Sequence, residues 1–194
     1  MLKLGATVDQ RGLVEQAQRG DHDAFATLAG AALARLDGAA HLILRDHELA
    51  RDAVQEAMVR AWRDLPTLRD VERFDAWLHR LLVNACFDLA RRRRRRAFEV
   101  ELTPLHVPTT ADFSRGVVDR DALDRALLAL EPEWRAIVVL HYYLGMPMPD
   151  VASILRIPLG TAKSRLHRAI GVLRTSVVEG EAAGNDVVPE GRFA

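Results

Sequence analysis

Apolar residues recur every three or four positions along most of this chain, and that spacing predicts helices. The clearest stretch runs from Asp46 to Arg63, where Ala50, Ala53, Val54, Ala57, Met58, Ala61 and Trp62 share one face and Pro66 closes the segment. Its opposite face is polar and acidic. An earlier helix is expected from Asp21, with Phe25, Leu28, Ala29, Ala32 and Leu36 inward, preceded by a shorter one around Leu13 to Ala17. Gly20 and Gly38 read as breaks. A third helix runs from about Arg73 into a run of arginines. It buries Phe74, Trp77, Leu78, Leu81, Leu82, Ala85 and Leu89 and turns Arg80, Asn84, Phe87 and Arg91 the other way.

From Ala97 to Val118 the periodicity fails and Pro104, Pro108, Thr109, Thr110 and Gly116 appear, which predicts a flexible linker. Fully extended at ~3.3 Å per residue it would reach about 70 Å, close to two turns of duplex at ~34 Å each. A second helical set begins near Asp119 with Ala122, Leu123, Ala126, Leu127 and Leu130 inward, then restarts at Glu131-Pro132, where proline is tolerated in a first turn. Ile137, Val138, His141 and Leu144 continue its core face. From Asp150 to Ala169 the pattern gives two short helices around the turn Ile157-Pro158-Leu159-Gly160, with Thr161 as a candidate N-cap for the second. After Val178 the segment to Ala194 is acidic, glycine-containing and unpatterned, which predicts a disordered tail. The expected fold class is therefore all-α. Two small helical domains, residues 1–96 and 119–178, are joined by a linker over 97–118 and followed by a tail over 179–194, and the second domain contains a helix-turn-helix.

Charge sharpens this outline only when it is read locally. Lysine plus arginine and aspartate plus glutamate number 27 each, so the net charge of +0 hides a basic run at Arg91–Arg96 and a basic segment from Lys163 to Arg174. Cys86 is the only cysteine, which rules out an intrachain disulfide, and its place near an apolar stripe fits a small buried hydrophobe. The amino terminus lacks a basic segment followed by an apolar core, and no uninterrupted apolar run is long enough for a bilayer. A cytoplasmic location without membrane insertion is the expectation.

Enzyme chemistry finds little support. The seven histidines are scattered, and there is no phosphate-binding glycine loop, nucleophile elbow or metal-ligand spacing, so no catalytic residue, metal or cofactor is expected. The second helix of the helix-turn-helix instead leaves Thr161, Lys163, Ser164, His167 and Arg168 free to meet a major groove while Ala162, Leu166, Ala169, Ile170 and Leu173 anchor it. Read alone, the arginine run fits a solvated helix end, an RNA-binding segment or a phosphate clamp. Its place at a helix end favours the clamp, in which arginine forks give affinity without sequence information. Arg80 and Asn84 on the exposed face before it are candidates for base recognition, and Phe87 for stacking on an unpaired base. Glu48, Asp52 and Glu56 stand at i, i+4 and i+8 with Gln55 beside them, either as a solvated face or as a docking surface for a basic partner.

Taken in order, Asp52-Ala53-Val54-Gln55-Glu56-Ala57-Met58-Val59-Arg60-Ala61-Trp62, Phe74 to Ala85, the arginine run, and Leu130-Glu131-Pro132 through Ala169 resemble the extracytoplasmic-function group of bacterial RNA polymerase sigma factors. The resemblance spans about Asp21 to Thr175. It implies a non-enzymatic initiation factor that binds core RNA polymerase at the β′ clamp and the β flap and lends it promoter specificity. The first domain would dock on the clamp and capture the non-template strand of the −10 element, the second would bind the −35 element as duplex, and the linker would thread into the polymerase. Carried over by position, Gln55 and Glu56 become clamp contacts, Asn84 a −10 strand contact, and Lys163, Ser164, His167 and Arg168 −35 contacts. The faces themselves add Asp52 to the polymerase contacts, Arg80, Phe87, Arg91, Arg92, Arg93 and Arg94 to the −10 contacts, and Thr161 to the −35 contacts. An anti-sigma protein is a further candidate partner. Pro147 and Pro149 depart from the family pattern, standing where a capping serine and an early acidic residue are usual. Two other readings compete: a conventional helix-turn-helix regulator that binds duplex operators as a dimer, and a nuclease or recombinase with an appended DNA-binding module. The first leaves the Asn84 face and the acidic stripe unexplained, and the second needs a carboxylate cluster or nucleophile not found here.

Overall fold

A computed structural model describes the backbone of residues 9–101 and 125–185 and the side chains of residues 9–96 and 125–176. No strand occurs among the described residues. Helix α1 (Gln10–Gln18) lies on α2 (His22–Leu44), which antiparallel turns connect to α3 (His47–Asp64) and α4 (Phe74–Glu101). Aspartates start the two central helices as the sequence suggests. Asp21 accepts from the Asp23 and Ala24 amides, and Asp46 accepts from the Leu49 amide at 3.0 Å, each filling donors that a helix leaves unpaired at its first turn. The buried stripes of α2, α3 and α4 meet in one core built on Leu28, Leu36, Ile43, Ala53, Ala57, Ala61, Leu78 and Leu82. Cys86 lies within it, and burial pushes its thiol up to about 12, so it behaves as an inert small hydrophobe.

Gly38 does not break α2, which runs on to Leu44 and ends at Arg45 in the left-handed conformation. A mid-helix glycine costs only about 1 kcal/mol relative to alanine, and burial of Leu36, Ala39, Ala40 and Ile43 around it outweighs that. A Cβ there would meet the Tyr143 hydroxyl, the far end of an exposed side chain. By composition and length α2 alone among the described helices could cross a membrane, but its Leu28, Leu36, Ala39, Ala40 and Ile43 belong to the core.

In the C-terminal part, helical residues 125–128 lead to α5 (Pro132–Val138), a single π-helical turn (Val139–Tyr143), α6 (Met148–Leu155) and α7 (Leu159–Asn185). The π turn interrupts what the sequence presents as a continuous face. Ile137 and Leu144 are buried as expected, whereas Val138 and His141 are only partly covered, and His141 Nδ1 lies 2.8 Å from the Met146 carbonyl oxygen. Gly145 at φ 69° then reverses the chain into α6. Pro147 sits at the N-cap of α6 and Pro149 in its first turn, positions whose missing N–H groups need no helical partner. Helix α7 begins at Leu159, with the Pro158 carbonyl accepting from the Ala162 amide at 3.0 Å, so Thr161 lies inside the first turn and is not the N-cap.

Two helices overrun the boundaries read from the sequence. Helix α4 continues past Arg96 to Glu101, and α7 past Val178 to Asn185. Neither stretch contains proline, and Ala97, Glu99, Glu101, Glu179, Glu181, Ala182 and Ala183 favour helix against Gly180 and Gly184. The rest of the expected linker, the helical start near Asp119 and the tail beyond Asn185 lie outside the described residues. The two helical units pack on each other: α5 and the π turn rest on α2, α6 rests on α4, and Ile137, Leu140, Val151 and Ile154 join the core of the first unit. A smaller cluster of Ala126, Leu127, Leu130, Ala169 and Leu173 belongs to the second unit.

Candidate functional site

Three faces carry the residues singled out by sequence, and each is positioned by a buried stripe on the opposite side of its helix. On α3, Ala50, Ala53, Val54, Ala57 and Ala61 are buried, which leaves Glu48, Asp52, Gln55 and Glu56 exposed along one edge. The structure adds residues from a second helix. Arg60 Nε donates to Glu56 at 2.9 Å and its Nη2 to Asp88 of α4 at 3.3 Å, so one arginine ties the acidic edge to the neighbouring helix. Burial pushes the Asp88 carboxyl up, but hydrogen bonds from Arg91 and Arg60 outweigh that and hold it below the usual carboxylate range. The result is a shallow groove between α3 and α4, lined by Asp52, Gln55, Glu56 and the exposed Val59 on one helix and by Asp88, the partly buried Leu89 and Arg92 on the other, with Arg60 between them. Asp88 and Val59 were missed by sequence reasoning, because only the antiparallel pairing of the two helices brings Asp88 to this edge.

On α4 the predicted nucleic-acid residues separate into two kinds. Arg80, Asn84 and Phe87 follow one another along a half-buried face, and Phe87 packs against the core while Arg80 borders a crevice with α6. The arginines do not share a face. Successive residues turn by about 100° around a helix, so a run of six points in every direction. Arg91 pairs with Asp88, Arg92 borders the groove with α3, and Arg93 donates to Asp46 at 3.0 Å, while Arg94 is exposed.

On α7 the separation is cleaner. Taking Lys163 as the origin and about 100° per residue, Ala162, Leu166, Ala169, Ile170 and Leu173 fall in one arc, and Lys163, Ser164, His167 and Arg168 fall in the opposite one. Burial follows this division: Ala162, Ala169 and Leu173 are buried, Leu166 and Ile170 partly so, and the four polar residues are exposed. Ser164 Oγ donates to the Thr161 carbonyl at 3.0 Å, while Thr161 itself is half-buried in the first turn. Arg174 extends the exposed arc by two further turns. Helix α6, the short turn and this outward basic helix form a helix-turn-helix able to present side chains to a major groove.

Residues 28–96 match the family model for sigma-70 region 2, and residues 120–171 match that for sigma-70 region 4. The sigma factor SigM of Mycobacterium tuberculosis is 38% identical over 166 residues, covering 81% of this chain and 83% of that one. The chain belongs to the extracytoplasmic-function group of RNA polymerase sigma factors. SigW of Bacillus subtilis, of the same group, is 27% identical over 173 residues, 83% of this chain and 92% of that one. Among solved structures, CnrH in complex with the cytosolic domain of CnrY matches with a TM-score of 0.63 at 29% identity, covering 86% of this chain and 95% of that one. The sigma factor RpoE of Bartonella quintana, solved with the anti-sigma factor NepR, matches with a TM-score of 0.66 at 25% identity over 79% and 96%. As a sigma factor the protein binds core RNA polymerase and directs promoter-specific initiation of transcription.

In this sigma factor the α3 groove and the α4 face lie within the region 2 match, and the exposed arc of α7 falls mostly within the region 4 match. No group of three or more metal-ligating side chains occurs among the described residues.

Proposed function

We propose that the three faces divide the work of promoter-specific initiation. The groove between α3 and α4, with Asp52, Gln55 and Glu56 on its rim, docks on the β′ clamp of core polymerase. The Arg80, Asn84 and Phe87 face captures the unpaired −10 strand, with Asn84 reading a base and Arg91, Arg92, Arg93 and Arg94 supplying phosphate contacts. Lys163, Ser164, His167 and Arg168 read the −35 duplex, with Thr161 at the start of their helix and the β flap as the second polymerase contact. The residues divide into a region 2 domain over 1–96 and a region 4 domain over 119–178, joined by the segment between them. The sigma factor performs no catalysis of its own, works in the cytoplasm, and is a candidate for control by an anti-sigma protein.

The observation that carries this reading is the opposition on α7 of a buried apolar arc and an exposed basic arc, on a helix-turn-helix, in a chain whose other unit holds a groove with Asp52, Glu56 and Asp88 on its lining. The test uses a promoter selected by the reconstituted holoenzyme from a randomised DNA library. Nuclease protection at −35 should be lost with Arg168→Ala, and permanganate reactivity of unpaired thymines at −10 should be lost with Asn84→Ala. Equal loss of both signals in each variant would contradict the division of labour.

A further inference from the structure

Among the described residues Gly20, Gly145, Arg45 and Arg156 adopt positive φ. Glycine takes that conformation freely, whereas in any other L-residue the Cβ crowds the following carbonyl. Arg45 is half-buried at the end of α2, so packing bears on its side chain. Arg156 has no such compensation. It ends α6 at φ 55° and ψ 43°, where its amide donates to the Ser153 carbonyl at 3.3 Å and the Ile157 amide donates to the Ala152 carbonyl at 3.1 Å. That pair of bonds is the Schellman cap, whose left-handed position glycine usually fills. The Arg156 side chain is exposed, and among the described residues no hydrogen bond or ion pair reaches it. The helix-turn-helix thus holds an arginine where its own fold would be better served by glycine.

Charge around this turn is one-sided. Between Asp150 and Glu179 the chain has no acidic residue, but it has Arg156, Lys163, Arg165, Arg168 and Arg174. Asp150 itself lies 3.5 Å from Arg73 Nη2, on another helix. A cation with neither an acid in its own segment nor a packing role suits a polyanion outside the chain. The place of the turn says which one. Arg156 caps the first helix of the helix-turn-helix, and α7 begins shortly after it at Leu159. In such a motif the second helix brings its N-terminal residues to base edges while the first crosses the sugar-phosphate backbone, so a residue between them stands at the edge of the groove. We propose that Arg156 is a backbone contact of the −35 duplex, a guanidinium that holds a DNA phosphate beside the groove and reads no base. The proposal rests on the assignment of the α7 arc to the −35 duplex. It sets folding against function at one residue: the strained cap is kept because the side chain it carries binds DNA.

The test replaces Arg156 in three ways in the full chain. Arg156→Gly removes both strain and charge, Arg156→Gln removes the charge and keeps the Cβ, and Arg156→Lys keeps both. Relief of the left-handed strain exceeds the extra freedom that glycine gives the unfolded chain, so Arg156→Gly should raise the urea midpoint by about 0.3–0.5 M. The other two variants should leave the midpoint unchanged. Binding to the −35 duplex selected by the holoenzyme, and to a scrambled duplex, is then followed by fluorescence anisotropy over a range of salt concentrations. One lost phosphate contact flattens the logarithmic salt slope by about 0.9, which is about eightfold in affinity at about 0.1 M salt. Arg156→Gly and Arg156→Gln should show that loss equally on both duplexes, and Arg156→Lys should keep most of the affinity. Wild-type affinity and slope in Arg156→Gly and Arg156→Gln, or a lowered urea midpoint in Arg156→Gly, overturns the proposal. A loss confined to the selected duplex also overturns it, since the residue would then read a base. Arg168→Ala, measured alongside, separates the contact from the assignment beneath it. If Arg168→Ala loses affinity while the Arg156 variants bind normally, the reading face of α7 stands and the phosphate contact falls. If the Arg156 variants lose the slope while Arg168→Ala binds normally, the phosphate contact stands and the reading face falls.

Discussion

Replacing Arg168 by alanine removes one guanidinium from the exposed arc of α7 while leaving untouched the apolar arc that holds the helix in place. A guanidinium that contacts guanine or a close phosphate contributes ~1–3 kcal/mol, so −35 duplex affinity should fall by about five- to 150-fold. Stability should hardly change, because a substitution at an exposed helical position away from caps and networks falls within about 0.5 kcal/mol. Two substitutions on the other arc give the converse result. Leu173 is buried, so Leu173→Ala should cost ~2–5 kcal/mol of stability. Leu166 is only partly buried, and Leu166→Ala should cost about 1–2 kcal/mol, below the range for a fully enclosed leucine. The assay is paired: fluorescence anisotropy with a −35 duplex selected by the holoenzyme, and urea unfolding of the same samples. Arg165→Ala is the control for bulk charge, since Arg165 points well away from Lys163 and His167 around the helix and should lose far less affinity. An Arg168→Ala protein that binds the duplex normally, or one that melts like Leu173→Ala, would refute the division of α7 into a reading face and an anchoring face.

The groove between α3 and α4 gives a second expectation: Glu56→Lys should weaken core polymerase binding by at least about tenfold, as expected for reversing a charge at an interface, with an unchanged circular dichroism spectrum. Surface plasmon resonance on immobilised core checks it, and unaltered affinity would remove Glu56 from the interface. Asn84→Ala should change the preference of the holoenzyme at one −10 position, whereas Arg94→Ala should weaken all sequences alike and lower the salt slope by about one unit. Binding to a panel of single-base −10 variants at several salt concentrations separates the two. His79 is buried with Nδ1 unpartnered, and desolvation pulls its imidazole below the ordinary 6.5. The unfolded chain therefore takes up a proton that the folded chain refuses, so stability is present above about pH 6.5 and falls as pH drops below it. Urea unfolding between about pH 5 and pH 7 should show that slope, and His79→Gln should flatten it.

Periodicity was enough to place the helices that carry the three faces, because each is amphipathic and each buries the stripe that its spacing indicates. On α7 the sequence even separates reading from anchoring residues, since a rigid helix turns spacing directly into direction. What escaped it depends on contacts between residues distant in the chain. Gly38 looks like a break until the burial of Leu36, Ala39, Ala40 and Ile43 around it is seen, and Asp88 looks unremarkable until Arg60 reaches it from α3. The arginine run looks like a single clamp, but the helix distributes it, pairing Arg91 with Asp88 and Arg93 with Asp46. Thr161 has the right side chain for an N-cap, yet the helix starts earlier because Pro158 supplies the first carbonyl and Leu159 and Gly160 follow it without conflict. The packing of the second unit on the first has no local signal at all, since Ile137, Leu140, Val151 and Ile154 would be apolar in either arrangement.

Run-off transcription with purified core polymerase tests the central claim most directly, on the promoter that the holoenzyme itself selects from the randomised library. Adding this protein to core should yield a discrete transcript from that promoter and none from the same template with its −10 or −35 element scrambled. Glu56→Lys, Asn84→Ala and Arg168→Ala should each reduce the transcript. A protein that binds duplex DNA as a dimer but neither associates with core nor produces a transcript would contradict the account.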